Sequence, residues 1–291
     1  MNKAKLALLT LASAALLAPL QANIILYEGF DYAAVALVNQ NGGTGFSGAW
    51  KSSGLGGDTV TYPGLEYTSG ANSLNVVGGY TTVTNTSTAG SYRDFSAVTA
   101  ASDTVTTYWI SVIASTAGGP YDASGDEASL QFRNANNVEL VSVGAFGSSA
   151  NWRIRAKSAT GSTTGFSDAG DTPSSLTQAY LVIRVDVDTS ASAADNIYLW
   201  VDPILGSEPT IASAMASITG TNFWNDGEFS VSRLRSGLIN SGTADTKTLT
   251  FDELRLGTSF NDVSPIPEPA EIAAIMGVLV AALGFLRRRR S

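Results

Sequence analysis

Residues 104–114 read TVTTYWISVIA and residues 181–188 read LVIRVDVD. Both runs are dense in β-branched and aromatic side chains, which pack well on a pleated surface and lose rotamer freedom in a helix. Neither shows the 3.6-residue period of an amphipathic helix. The first reads as a long, mostly buried strand. The second pairs with residues 196–201 (NIYLWV) across the polar stretch 190–195. Working outward, residues 129–133 and 138–143 flank Asn134-Ala135-Asn136-Asn137, a good hairpin turn. Residues 152–156 (WRIRA) alternate with their basic side chains outward, and residues 73–77 (SLNVV) alternate too. Residues 229–234 and 248–256 supply the last strands, residues 211–218 are the best short helical candidate, and the glycine-rich stretches 41–48 and 53–57 read as loops. At least ten strands at this spacing predict an all-β fold, a two-sheet jelly-roll sandwich.

The two ends of this region carry a further pattern. The early end reads Tyr27-Glu28-Gly29-Phe30-Asp31-Tyr32, then NGGTGFSGAW over residues 41–50. The late end reads Leu199-Trp200-Val201-Asp202-Pro203, then FDELRLGT over residues 251–258. This resembles exported bacterial proteins with a concanavalin A-like or LamG-like jelly roll. The resemblance implies a sandwich in which the first and last strands pair. Its motifs are structural rather than catalytic, and a shared fold does not give a function.

The termini carry an address. Lys3 and Lys5 precede an apolar run over residues 6–17, and small or neutral residues follow to Ala22. A basic segment, a short apolar core and a small terminal residue describe a secretory signal peptide, with cleavage expected after Ala22. At the other end, Pro267-Glu268-Pro269 precedes the apolar run 270–286 and then Arg287, Arg288, Arg289 and Arg290. As a helix, 17 residues would span roughly 25 Å, short but feasible for a bilayer. Arginines beside a span favour the cytoplasmic side, so the preceding chain is expected outside the cytoplasm. Pro-Glu-Pro, apolar helix and arginine cluster, in that order, resemble the PEP-CTERM sorting signal of Gram-negative bacteria. The resemblance implies an exosortase, a membrane cysteine transpeptidase, as partner. It also implies only transient anchoring in the inner membrane, and a final place at the cell surface or in an exopolysaccharide matrix. The expected division is therefore residues 1–22 as signal peptide, 23–264 as the sandwich and 265–291 as the sorting signal.

Removing Lys3, Lys5 and the four tail arginines leaves 11 of the 17 basic residues; removing Glu268 and Glu271 leaves 23 of the 25 acidic ones. The exported part is thus near −12, which argues against nucleic acid and anionic lipid as partners. There is no cysteine, so no disulfide or thiolate chemistry, and a secreted chain of this length must rely on a large core. There is no histidine, which removes histidine-dependent triads and metal sites. Of the lysines, Lys51, Lys157 and Lys247 lie outside the termini, none in a serine–lysine motif.

Some jelly rolls are glycoside hydrolases, which need two carboxyl groups flanking the scissile bond. On one strand these would stand at alternate positions, as in E-x-D-x-E, and that pattern does not occur. Asp226-Gly227-Glu228 lies in a turn-like stretch, and Asp252-Glu253 are adjacent, so on a strand they should face opposite ways. No catalytic residue is therefore expected, and the protein is read as non-enzymatic; a polysaccharide-active enzyme with an unrecognised carboxylate pair is the alternative, and a purely structural matrix protein another. Asp122 and Asp126 in one loop, and Asp186 and Asp188 on one strand face, are the candidate calcium ligands, because calcium takes six to eight oxygen ligands. A solvated-acid reading is preferred for them, and no other cofactor is expected. Tyr62, Tyr67, Tyr80, Tyr121 and Trp224 near loops are candidates to stack on sugars, while Trp109, Trp200 and Phe132 belong to the core. The expected role is an exported surface or matrix protein, with extracellular polysaccharide as the candidate ligand.

Overall fold

The computed structural model describes residues 23–266 apart from 34, 55–57, 86–87, 119–120, 122–124, 148, 150, 163, 171–173, 191–192 and 240–245. The signal peptide, Ala22, Pro267, Glu268, Pro269, the apolar run and the four arginines lie outside the described residues, as does Asp122. No helix among the described residues is long and apolar enough to cross a membrane.

Strands dominate the described chain. They are β1 (Ile24–Glu28), β2 (Lys51–Ser52), β3 (Thr59–Thr61), β4 (Thr68–Ser69), β5 (Asn72–Ser73) and β6 (Tyr80–Asn85). Then come β7 (Thr88–Ala89), β8 (Ser91–Thr99), β9 (Val105–Ala117), β10 (Glu127–Arg133), β11 (Glu139–Phe146) and β12 (Arg153–Lys157). The last are β13 (Thr164–Asp168), β14 (Ala179–Asp188), β15 (Asp195–Val201), β16 (Ala216–Thr221), β17 (Ser230–Ile239) and β18 (Lys247–Gly257). Sixteen of them build two eight-stranded sheets, and β4 and β5 pair with each other alone. The first runs β16-β15-β14-β9-β18-β6-β3, with β1 also on β18; the second runs β13-β12-β11-β10-β17-β8-β2, with β7 also on β17. All pairings are antiparallel, including β1 with β18, where Tyr27 lies opposite Arg255. The early and late segments therefore pair as the sequence resemblance implies.

The core lies between the sheets. Leu130, Phe132, Val141, Val143, Ile154 and Leu234 of the second sheet meet Ile110, Val112, Leu181, Ile183, Leu199 and Leu256 of the first in one buried cluster. Each fully buried aliphatic or aromatic side chain contributes about 1.5–3 kcal/mol over its exposed state. β9 is buried along both faces because the outer face of the first sheet is itself covered. There Trp109 stacks on Trp200 at 5.6 Å, and Leu74, Leu205, Phe260 and Val263 close over them. The one-turn helix Phe260–Val263 is held by a reciprocal cap between Ser259 and Asp262.

Three local expectations change. Residues 74–77 are not strand: β5 ends at Ser73, and Leu74 leaves the ladder to enter that second cluster. Residues 211–218 are one short turn, Ile211–Ser213, followed by β16, because Ser217 and Ile218 complete the ladder beside β15. Asp252 and Glu253 do not face opposite ways: the β18 register shifts between Asp252 and Arg255, and Glu253 takes φ +52°. Both carboxylates then reach the same covering loop, Asp252 accepting from the Leu65 amide and Glu253 from the Val77 amide, each at 2.7 Å.

Candidate functional site

The first sheet is covered, so the outer face of the second is the surface to inspect. β12 alternates by burial, with Ile154 and Ala156 inward and Arg153, Arg155 and Lys157 outward, as the sequence pattern predicts. The antiparallel register sets the neighbours of Arg155. Phe166 lies opposite it on β13 and Ser142 on β11. Gln131 lies opposite Ser142, Arg235 opposite Gln131, Tyr92 opposite Arg235 and Lys51 opposite Tyr92. One transverse row thus crosses seven of the eight strands: Phe166, Arg155, Ser142, Gln131, Arg235, Tyr92, Lys51, with Ser142 and Gln131 buried at its centre. Six strand spacings of ~4.8 Å make it roughly 29 Å long. It has an aromatic ring at one end, another near the opposite end, and no carboxylate of its own.

The adjacent row is almost without side chains at its centre. Ser129 lies between Gly144 and Gly237. A Cβ at Gly144 would come within 2.1 Å of the Ala128 carbonyl oxygen, and one at Gly237 within 2.6 Å of Gln131 Nε2. At Gly144 the contact is with backbone, so only glycine fits there; at Gly237 it is with the end of the Gln131 side chain, which lies over that position. The row on the other side of the polar row places Arg133 between Glu139 and Arg233, with Asp94 opposite Arg233.

Seven of the 11 basic residues between 23 and 264 stand on this face: Lys51, Arg133, Arg153, Arg155, Lys157, Arg233 and Arg235. Four carboxylates accompany them. Arg155 donates to both oxygens of Glu127 at 2.9 Å and to Glu139 at 2.8 Å. Burial works against the Arg155 charge, and the two glutamates more than offset it, raising its pKa. Burial would raise the Glu139 carboxyl, but Arg155 outweighs burial and holds it below the usual range. Lys157 also pairs with Glu139, Arg153 with Asp168, and both Lys51 and Arg233 with Asp94. Arg133 and Arg235 instead share a neutral acceptor: Arg133 Nε and Arg235 Nη1 lie 2.9 and 3.2 Å from Gln131 Oε1.

Aromatics complete the face. The Phe166 ring is 64 % exposed, and the Arg153 guanidinium sits 5.5 Å from its centroid. Tyr92 lies under the Arg233 guanidinium at 4.3 Å. Neither ring was among the sequence candidates. Of those, Tyr121 and Trp224 are fully buried: Tyr121 donates to the Thr248 carbonyl and Trp224 to the Lys157 carbonyl, so neither can stack on a ligand. Tyr67 is stacked on Tyr180 at 4.9 Å, Tyr80 lies in β6, and Tyr62 is exposed on the loop covering the first sheet. Phe132 lies between the sheets, whereas Trp109 and Trp200 are buried on the far side of the first sheet.

The acidic candidates do not converge. Asp126 is buried with Lys247 at 2.7 Å, Asp186 pairs with Arg184 and accepts from Thr107, and Asp188 accepts from Ser190. No group of three or more acidic or metal-ligating side chains able to hold an ion occurs among the described residues. Glu228 caps the Asn225 amide and Asp226 accepts from Ser102, so that pair serves its turn. A cleft of about 300 Å³ opens on the other side, lined by Trp200, Pro203, Ile204, Pro209 and Met215 with Asp202 and Glu208; no basic side chain lines it.

No known protein family and no curated protein matches the chain. Among solved structures, it is similar to an endo-β-1,4-glucuronan lyase from the fungus Trichoderma reesei, at 12% identity over 83% of this chain and 98% of that one, TM-score 0.50. It is also similar to the ligand binding domain of Botulinum neurotoxin serotype D, solved in complex with N-acetylneuraminic acid, at 9% identity over 83% of this chain, TM-score 0.47. The chain spans about 50% of the length of that second structure. At such identity the likeness is one of fold, and the fold is a jelly-roll sandwich of two antiparallel sheets.

Proposed function

We propose that this chain is an exported, non-enzymatic protein of the cell surface or extracellular matrix, and that the outer face of its second sheet binds an acidic polysaccharide. The observation that carries this reading is the transverse row from Phe166 to Lys51, lying in the face that holds seven of 11 basic residues. A domain near −12 that collects its cations on one face, with rings at both margins, is arranged for a polyanion with apolar ring faces. An acidic glycan has both properties. Nucleic acid has them too; export, as read from the termini, favours the glycan. Delivery is read from the termini: signal peptide to Ala22, then sorting by an exosortase at Pro267-Glu268-Pro269. The sandwich belongs, on its early and late segments, with concanavalin A-like and LamG-like exported domains.

The test is affinity electrophoresis of the purified protein through gels containing acidic or neutral polysaccharides. Retardation by acidic polymers alone, lost as salt rises, is the expected result. Retardation by none of them refutes glycan binding.

A second reading, a polysaccharide-active enzyme, is favoured by Glu127 and Glu139 meeting at Arg155 on the same face. A carboxyl group that must donate a proton near neutrality needs a raised pKa, whereas Glu139 is held low. Cleavage of an acidic polymer that is abolished by Glu127→Gln would establish this reading instead.

A further inference from the structure

We infer that Arg133 and Arg235, converging on the Gln131 side-chain oxygen, form a carboxylate-reading centre, so that the polymer bound is a polyuronate rather than a sulfated or neutral glycan. The inference rests on the glycan-binding reading of this face and adds the chemical class.

Five of the seven cations on the face form an ion pair with one of its four carboxylates. Arg133 and Arg235 form no ion pair with a described residue; their partners are Gln131 Oε1, the Asn137 carbonyl and the Ser53 hydroxyl. Two half-buried guanidiniums converging on one neutral oxygen carry charge that Glu127 and Glu139 offset from a distance, without an ion pair to either. Burial, and for Arg133 the neighbouring Arg235, hold both below their ordinary pKa. Nη2 of each makes no hydrogen bond to a described residue, and neither is among the buried unsatisfied atoms. Each guanidinium thus keeps one nitrogen, Nη2, for a further acceptor, and a carboxylate can bridge the pair with one charge-assisted bond to each.

Gln131 fixes the arrangement. Its Nε2 donates to Ser129 Oγ at 3.1 Å and to Glu127, which turns its oxygen toward the arginines; the flipped amide would set N–H donors against guanidiniums. The same atoms discriminate among anions. A carboxylate has two oxygens, one for each guanidinium. A tetrahedral sulfate brings further anionic oxygens toward Gln131 Oε1 and the Glu127 and Glu139 carboxylates, where like charge repels.

The test uses the full chain in mild detergent with three probes: polyglucuronate, the same polymer after chemical reduction of its carboxyl groups, and dextran sulfate of matched length. Polyglucuronate should bind, the reduced polymer at least tenfold more weakly, and dextran sulfate no better than the reduced polymer. Arg133→Gln and Arg235→Gln should each weaken polyglucuronate at least tenfold. Arg235→Lys, which keeps the charge but not the fork, should lose nearly as much, while Arg184→Gln, on the first sheet, should change binding less than threefold. Equal binding of native and reduced polymer, or tighter binding of dextran sulfate, overturns the carboxylate centre while leaving glycan binding intact. Failure of every polysaccharide to bind overturns both. The reduced-polymer arm needs no variant, so it decides the matter even if an arginine variant misfolds.

Discussion

Arg93 Nη1 lies 2.6 Å from Glu28 Oε2, both side chains are buried, and the pair bonds the first strand of one sheet to the opposite sheet. Glu28 also accepts from the Phe30 amide, the Tyr32 hydroxyl and Trp50 Nε1, so its carboxylate is the joint of the whole N-terminal segment. Breaking a buried pair strands the other charge without compensation. Arg93→Met should therefore cost about 3–5 kcal/mol in urea unfolding. Lys51→Ala, which removes an exposed lysine from Asp94, should leave the urea midpoint nearly unchanged. Equal costs for the two would deny the joint.

Gly144→Ala should destabilise by about 1–3 kcal/mol, because the added methyl meets the Ala128 carbonyl across the ladder. Gly170→Ala is the control: nothing lies within 4 Å of a methyl there, although its φ of +84° is left-handed and adds backbone strain. The thermal midpoint of Gly144→Ala should fall further below wild type than that of Gly170→Ala. The reverse order would mean that the floor of the face is not tightly set.

Glu139 gives a dependence on pH. Its folded pKa is depressed, with burial opposing and Arg155 prevailing. Its stabilisation is therefore complete above the unfolded carboxyl value near pH 4.5 and is lost as pH falls through the lower folded value. Urea midpoints taken between pH 6 and pH 3 should fall more steeply for wild type than for Glu139→Gln. Parallel curves would contradict the Arg155 linkage.

Much of this was legible in the residues. The all-β class followed from runs such as 104–114, and the outward arginines of 152–156 gave one strand of the face. What escaped was transverse. Gln131, Arg235 and Tyr92 are separated by 104 residues and 143 residues in sequence, and only strand register aligns them. No period within a segment encodes which strands neighbour one another. Phe166 was missed for a related reason: TGFSD is too short to tell an outward ring from an inward one, and Gly165 turns inward against Phe223. Tyr121 and Trp224 erred the other way, since loops here fold their aromatics into the core. Asp252 and Glu253 share a side only because of the bulge, which adjacency alone does not announce.

The tail makes its own prediction. If Arg287 to Arg290 halt on the cytoplasmic side, Pro267-Glu268-Pro269 is left at the outer face of the inner membrane, within reach of a membrane protease. Intact mass of protein taken from the native host should lack residues 270–291. A mature species retaining the four arginines in the inner membrane would leave a plain anchor.

The central claim is that the row from Phe166 to Lys51 is where the glycan lies, and arginine side-chain Nε–H resonances report on it directly. During a polyglucuronate titration, the signals of Arg133, Arg155 and Arg235 should shift together and saturate at one concentration. Those of Arg93, buried with Glu28, and of Arg184 and Arg255 on the first sheet should stay in place. Binding accompanied by movement of Arg184 or Arg255, with the three arginines of the second sheet unmoved, would contradict the account.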